Sequence, residues 1–361
     1  MTGQQAGIFH AADLRSAISD GMIGLGAEAT NSQVQPASLD LTLGAEAWRV
    51  RAAFLPGPGG TVEGRLGEGL GLHALDLRGG AVLEKGCVYV VKLRERLSLP
   101  HGIFARANPK SSTGRIDVFV RLVTDQGTSY EAVPEGYDGP LYAEISPRTF
   151  SILVREGSSL NQLRLRRGDA HVGDEELAEL HAVTPLVQGA PGEIQGGLRV
   201  SVDLSDSLGA IIGHRALRHT ALIDVDRVGA LNPADYFEPI ARPACGFLIL
   251  DPDEFYILAS REELRMPRDL AAEMVPIDTD LGAFRVHYAG FFDPGFGLEA
   301  PSRGVLEVRG YDAPFVLEHG QTVARLSFER LTGAPDLTYG QGMKSNYQGQ
   351  GLRLSKHFQV I

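Results

Sequence analysis

The sequence has few of the residues that staple or wrap small proteins. Its 361 residues include two cysteines, Cys87 and Cys245. They are too few and too far apart for a disulfide framework, and no C-x-x-C pair is present to seat zinc. There is one tryptophan, and aromatic residues make up 7% of the chain. No run of about 18 apolar residues occurs, so nothing is expected to span a membrane. The N-terminus, MTGQQAGIFHAADL, lacks a basic segment followed by an apolar one, the pattern of a secretory signal. A cytoplasmic protein is expected. Basic residues are also in deficit. Lys and Arg number 34 against 45 Asp and Glu, for a formal net charge of -11. That balance argues against a broad surface for duplex nucleic acid. It leaves room for a local basic pocket that takes a phosphate ester.

Glycine (44) and proline (20) are plentiful. Together they favour many short strands joined by turns. The chain also repeats itself. LEKGCVYVVKLRERLSLP from Leu83 and LDPDEFYILASREELRMP from Leu250 share Leu, Tyr, Glu, Leu and Pro at an offset of 167. Further on the offset is 163: Glu144 matches Glu307, Gly157 matches Gly320 and Leu163 matches Leu326. SLDL from Ser38 and SVDL from Ser201 also stand 163 apart. A long period with small changes of offset means a duplicated domain with altered loops rather than a solenoid. The length suits two domains of about 150 to 180 residues. The expected boundaries are 1–168 for the first, 169–197 for a linker that turns rich in Gly and Pro, and 198–361 for the second. A short helix is expected over 11–24, where apolar residues recur at helical spacing and Gly21 and Gly24 stop it. Elsewhere strands dominate, as in VYVVKL (88–93), PLYAEIS (140–146) and GVLEVRG (304–310). Strands this short and numerous suit a barrel or jelly roll, which handles sheet edges by closure.

Four groups of residues can carry chemistry. Lys110, Ser111, Ser112 and Arg115 lie within KSSTGR between two strand patterns. Hydroxyls, backbone N–H groups and two cations in six residues can wrap a phosphate, or form an ordinary polar turn. Glu144 in LYAEIS and Glu307 in VLEV are carboxylates among apolar residues. Each is either a paired structural acid or a general base. FDPGF, with Asp293, Gly295 and Phe296, is a strong turn signal and reads equally as a plain hairpin. The tail, with Tyr339, Lys344, Tyr347, Gln348 and Gln350, offers aromatic faces and amides on a glycine-rich backbone. It can close over a nucleotide or fray as a terminus.

In that order the motifs resemble those of the dCTP deaminases, within the trimeric dUTPase-like β-barrel superfamily. QPASLDLTLG (35–44) resembles the family's N-terminal strand motif, and LSLP followed by KSSTGR its phosphate loop. FDPGF resembles its pyrimidine hairpin, VLEV its catalytic-glutamate strand, and NYQGQ (346–350) its C-terminal segment. Nearly the whole chain is covered, as two fused copies. The resemblance implies a mainly β fold of two tandem dUTPase-like barrel or jelly-roll domains with a short N-terminal helix. The departures fall in different places. The second half has Thr279, Asp280 and Ala283 where the loop's serines and arginine belong; the first has Pro134-Glu135-Gly136-Tyr137 in place of the hairpin. Lys110 and Asn346 also replace the family's residues.

The implied reaction is hydrolytic deamination of dCTP to dUTP and ammonia, which feeds thymidylate synthesis. Many nucleobase deaminases use zinc with an H-x-E…P-C-x-x-C signature. That signature is absent here. No zinc is therefore expected, and a carboxylate must polarise the water. The resemblance implies catalytic roles for Glu144, Glu307, Ser111 and Arg115. It implies nucleotide binding by Lys110, Ser112, Asp293, Gly295, Phe296, Tyr339, Lys344, Tyr347, Gln348 and Gln350. Magnesium would arrive on the triphosphate rather than in a protein cage. The implied assembly is a trimer-based homo-oligomer. Two rivals stand: dUTP hydrolysis, alone or after deamination, and a non-catalytic nucleotide-binding regulator.

Overall fold

The computed structural model describes residues 5–26, 31–276, 284–287, 290–310, 313–341 and 347–360. The fold is mainly β, with a few short helices. The chain forms two compact units. One comprises residues 1–170 with 221–228 and 331–336; the other comprises 171–220, 229–330 and 337–361.

In the first unit the opening helix is shorter than expected, Ala11–Ser19. The His10 side chain accepts the Ala12 N–H, and Asp13 reaches back to the His10 N–H, so two otherwise orphan donors are satisfied. The helix stops because Gly21 turns the chain at a φ of 76°. One sheet runs in the order Gly71–Asp76, Leu43–Val50, Val88–Ser98, Asp138–Pro147, Val118–Thr124. A second sheet centres on Asn161–Arg167 beside Ile103–Pro109. A small third sheet pairs Ala81–Leu83 with Ile152–Val154.

The second unit repeats this order. Its large sheet runs Phe237–Ala241, Ile211–Ala216, Phe255–Leu264, Ser302–Gly310, Phe284–His287. The register repeats too. Glu144 faces Val90 and Arg121 across the two ladders, and Glu307 faces Ile257 and His287. The small sheets agree residue for residue, with Ile152 opposite Leu83 and Phe315 opposite Leu250.

The SLDL/SVDL match is corrected by the register. Leu39 pairs with Leu163, and Leu198 pairs with Leu326. The counterpart of Leu39 is therefore Leu198, at an offset of 159, not Val202. Side-chain bonds agree. Thr42 gives its N–H and hydroxyl to buried Glu95, and Ser201 does the same for Glu262. SVDL instead opens a loop that the first unit lacks.

Two domain boundaries also differ from expectation. Residues 169–197 are not a bare linker. They contain the helix Asp174–Val183, and Leu177, Leu186 and Val187 are buried in the second unit's core. Residues 221–228 and 331–336, expected in the second domain, belong to the first unit. Ile223 pairs with Ile152 as a parallel strand, and Leu331 bridges to Ile8. Arg155 grips Asp224 with two N–H donors, at 2.8 and 3.0 Å.

Candidate active site

The first unit holds the KSSTGR loop. Strand Ile103–Pro109 ends at a proline, and Ser111–Gly114 forms one helical turn. Leu160 anchors this turn. Its carbonyl accepts the Lys110 N–H at 2.9 Å and the Thr113 hydroxyl at 2.8 Å. The Lys110 ammonium is bonded to Asp40, with Ser159 Oγ at 3.3 Å. Lys110 thus ties the loop to the SLDL strand. Ser112 and Arg115 are buried, and Ser111 is partly exposed.

Glu144 sits mid-strand in Asp138–Pro147 and is 2% exposed. Its Oε1 accepts from Arg121 Nε at 3.0 Å and from Arg121 Nη2; its Oε2 accepts from the Tyr130 hydroxyl at 3.1 Å. Burial, and the carboxylate beside it, push the Tyr130 phenol up to about 12, so it stays protonated as a donor. Sequence reasoning missed both partners. A cleft of about 610 Å³ on this unit is lined by Glu46, Trp48, Glu63, His73 and Lys92 among others, and by none of the predicted residues. Glu63 is held below the usual carboxylate range by its bond to Lys92.

The second unit holds the hairpin, the tail and Glu307. Strand Phe291–Phe292 leads into the turn, where the Phe296 N–H returns to the Asp293 carbonyl at 3.1 Å. Gly295 has a φ of 90° that side-chain-bearing residues rarely adopt. Phe296 packs edge-on against Phe292 and Tyr339, with centroids 5.3 and 5.4 Å away. The tail docks on this turn. The Tyr339 N–H bonds the Pro294 carbonyl at 2.8 Å, and Gln348 Oε1 lies 3.5 Å from the Gly297 nitrogen. Gln350 and Arg303 exchange two bonds, each of 2.9 Å. Tyr347 is buried in the core, and its hydroxyl accepts the Lys356 N–H at 3.2 Å. Glu307 is 4% exposed in Ser302–Gly310. Lys344 lies outside the described residues, as do Thr279, Asp280, Ala283 and Asn346.

The predicted residues therefore fall into two sets. Lys110, Ser111, Ser112, Arg115 and Glu144 stand in one unit. Asp293, Gly295, Phe296, Glu307, Tyr339, Tyr347, Gln348 and Gln350 stand in the other. Among the described residues, no group of three or more His, Cys, Asp or Glu is placed to hold a metal ion.

Two sequence models match the chain in order. That of the 2'-deoxycytidine 5'-triphosphate deaminase N-terminal domain covers residues 5–169, and that of the C-terminal domain covers 173–358. The chain belongs to the dCTP deaminase family. A solved member, the 2'-deoxycytidine 5'-triphosphate deaminase from Agrobacterium tumefaciens, is 49% identical with a TM-score of 0.88; the match covers 92% of this chain and 100% of that one. Similarity to shorter dCTP deaminases is partial. The "dCTP deaminase, dUMP-forming" of Methanobrevibacter smithii is 32% identical over 116 residues, 31% of this chain and 58% of the relative. That of Beutenbergia cavernae is 30% identical over 145 residues, 37% of this chain and 71% of the relative. The chain thus spans little more than half the length of the first of these curated relatives.

Proposed function

We propose that this protein deaminates dCTP by hydrolysis, without zinc, to give a uracil deoxynucleotide for thymidylate synthesis. The observation that carries the reading is the 49% identity to the Agrobacterium tumefaciens deaminase across that chain's full length. Both family domains are matched in order, which extends it to each half. The fold goes with it: two fused dUTPase-like barrels in a trimer-based, cytoplasmic homo-oligomer.

The chemistry asked of the residues is limited. Water adds to C4 of cytosine, and ammonia leaves as the C4 carbonyl of uracil forms. A buried glutamate takes the proton from the water and passes it to the departing amine. Ser111 and Arg115 orient the water and the developing charge, with Ser112 and Lys110 beside the phosphates. The aromatic and amide groups of the Asp293–Phe296 hairpin and the tail enclose the base and sugar. Magnesium enters as part of the substrate, bound to the triphosphate oxygens.

A second reading has its own support. The relatives from Methanobrevibacter smithii and Beutenbergia cavernae carry the name "dUMP-forming", and the hairpin keeps Asp293. In that case a second water attacks the triphosphate, and dCTP yields dUMP, ammonia and pyrophosphate. Incubation with dCTP and, separately, with dUTP, with nucleotides resolved by ion-exchange chromatography, distinguishes the two. Deamination alone converts dCTP to dUTP and leaves dUTP untouched. Accumulation of dUMP and pyrophosphate establishes the bifunctional reaction. A protein that binds both nucleotides and converts neither is a regulator.

A further inference from the structure

Besides the hairpin, the tail is held at a second place, the start of strand Ser302–Gly310. Gly349 gives its N–H to Ser302 Oγ at 2.9 Å. The Arg303 N–H bonds the Gln350 carbonyl, and Gln350 Nε2 bonds the Arg303 carbonyl, each at 2.9 Å.

The side chain of Arg303 is pinned as well. Its Nη1 donates to Asp203 Oδ2 and, at 2.9 Å, to the Ser260 carbonyl; its Nη2 donates to Ser207 Oγ at 3.3 Å. Asp203 is fixed in turn by the Ser205 N–H and hydroxyl, at 2.8 and 2.6 Å, and by the Ser207 hydroxyl. Arg303 thus joins two segments: the tail through its main chain, and the 203–207 loop through its side chain. The Asp203 and Arg303 side chains are 2% and 13% exposed. A pair this sheltered depends on both charges, because removing one leaves the other uncompensated.

The first unit has the same strands without the join. Arg96 pairs with Pro140 and Glu263 with Arg303, and Arg96 and Glu263 stand at the offset of 167, so Pro140 holds the place of Arg303. Leu43 pairs with Leu93 and Val202 with Ser260, at the same offset, so Gly44 holds the place of Asp203. Proline has no N–H to give a tail, and glycine has no carboxylate. The copies stand 159 apart at Leu43 and Val202 but 166 apart at Trp48 and His214, so the second unit has seven more residues between those points. Ser205 and Ser207 lie in that stretch. The clasp is therefore found in the unit that carries the tail.

We infer that Asp203, acting through Arg303, is a positioning residue for the tail: the clasp keeps Gly349 and Gln350 docked on the strand that leads to Glu307, and so sets how tightly the tail retains the nucleotide. The kinetic consequence rests on the deaminase reading above; the docking itself does not.

The test compares full-length parent, Asp203→Asn and Ser207→Ala proteins by amide hydrogen exchange and by dCTP turnover with magnesium. The Arg303 and Gly349 amides should exchange at least about tenfold faster in Asp203→Asn and about threefold faster in Ser207→Ala. KM for dCTP should rise about fivefold in Asp203→Asn while kcat stays within about twofold, as when binding is lost equally from ground and transition states. Leu177→Ala, which loosens the same unit's core, should move neither those two amides nor KM. Should Asp203→Asn fail to fold, Ser207→Ala, at an exposed loop position, carries the test with its smaller change. Parent-like exchange of the two amides in a folded variant would overturn the inference. So would an equal rise of KM in Leu177→Ala, which would make the effect one of general stability. No ammonia from the parent protein would overturn the deaminase reading and leave the exchange rates to decide the clasp.

Discussion

Glu95 and Glu262 are buried carboxylates that each take an N–H and a hydroxyl from one residue, Thr42 and Ser201, and burial raises both above the usual carboxylate range. Their pairing was legible in the sequence at an offset of 167. Their partners were not, because the four-letter likeness of SLDL and SVDL pointed four residues astray. The displaced residue, Asp203, has its own role. It is 1% exposed and accepts from the Ser205 N–H and hydroxyl at 2.8 and 2.6 Å, from Ser207 and from Arg303. Burial alone would raise its pKa; these donors outweigh it and hold it at about 2. The unfolded value is about 3.9. A depressed carboxylate contributes stability above its unfolded pKa and loses it as pH falls towards the folded one. Asp203→Asn should therefore cost about 1–3 kcal/mol at pH 7 in denaturant unfolding. Its stability should also fall less steeply than the parent's between about pH 4 and pH 2. An unchanged acid profile would remove Asp203 from the balance. Arg121 and Tyr130 escaped sequence reasoning as partners of Glu144 because the fold brings them to it from 23 and 14 residues away in the chain.

Among the elements, the helix Asp174–Val183 shows the limit of reading composition. The Gly- and Pro-rich end of 169–197 suggested a linker, yet Leu177 is fully buried in the second unit's core. Glycines there shape a turn rather than loosen the chain. Asp174 accepts the N–H groups of Gly196 and Gly197 at 2.7 and 2.8 Å, closing the segment on itself. Leu177→Ala should lose about 3 kcal/mol of stability, the usual cost of a core cavity. A loss below about 0.5 kcal/mol would return the helix to linker status. The hairpin was legible as a turn from Asp-Pro-Gly alone, but its partner was not. A Cβ on Gly295 would stand 3.0 Å from Thr338 Cβ, next to the residue whose N–H holds Pro294. Gly295→Ala should push the tail off the hairpin and raise KM for dCTP about tenfold, with a smaller change in kcat; strain of 1–2 kcal/mol at a left-handed position is of that size. An unaltered KM would separate the hairpin from substrate binding.

At the scale of the whole molecule, the mainly β class and the repeated strand order follow from patterns any reader can align. Leu83 and Leu250 sit at the same place in matched small sheets, as their spacing required. The exchange of short segments was hidden. Ile223 and Leu331 reach strands that lie 71 and 323 residues away in the chain, and nothing local in a two-residue strand or a single bridge announces that partner. The two units hold different candidate residues: one has the KSSTGR loop and Glu144, the other the hairpin, the tail and Glu307. The most direct measurement of the central claim is ammonia release from dCTP with excess magnesium and a strong zinc chelator present. The account predicts one ammonia per dCTP consumed, at a rate the chelator leaves unchanged. Bound dCTP that yields no ammonia, or release that returns only with added zinc, would contradict it.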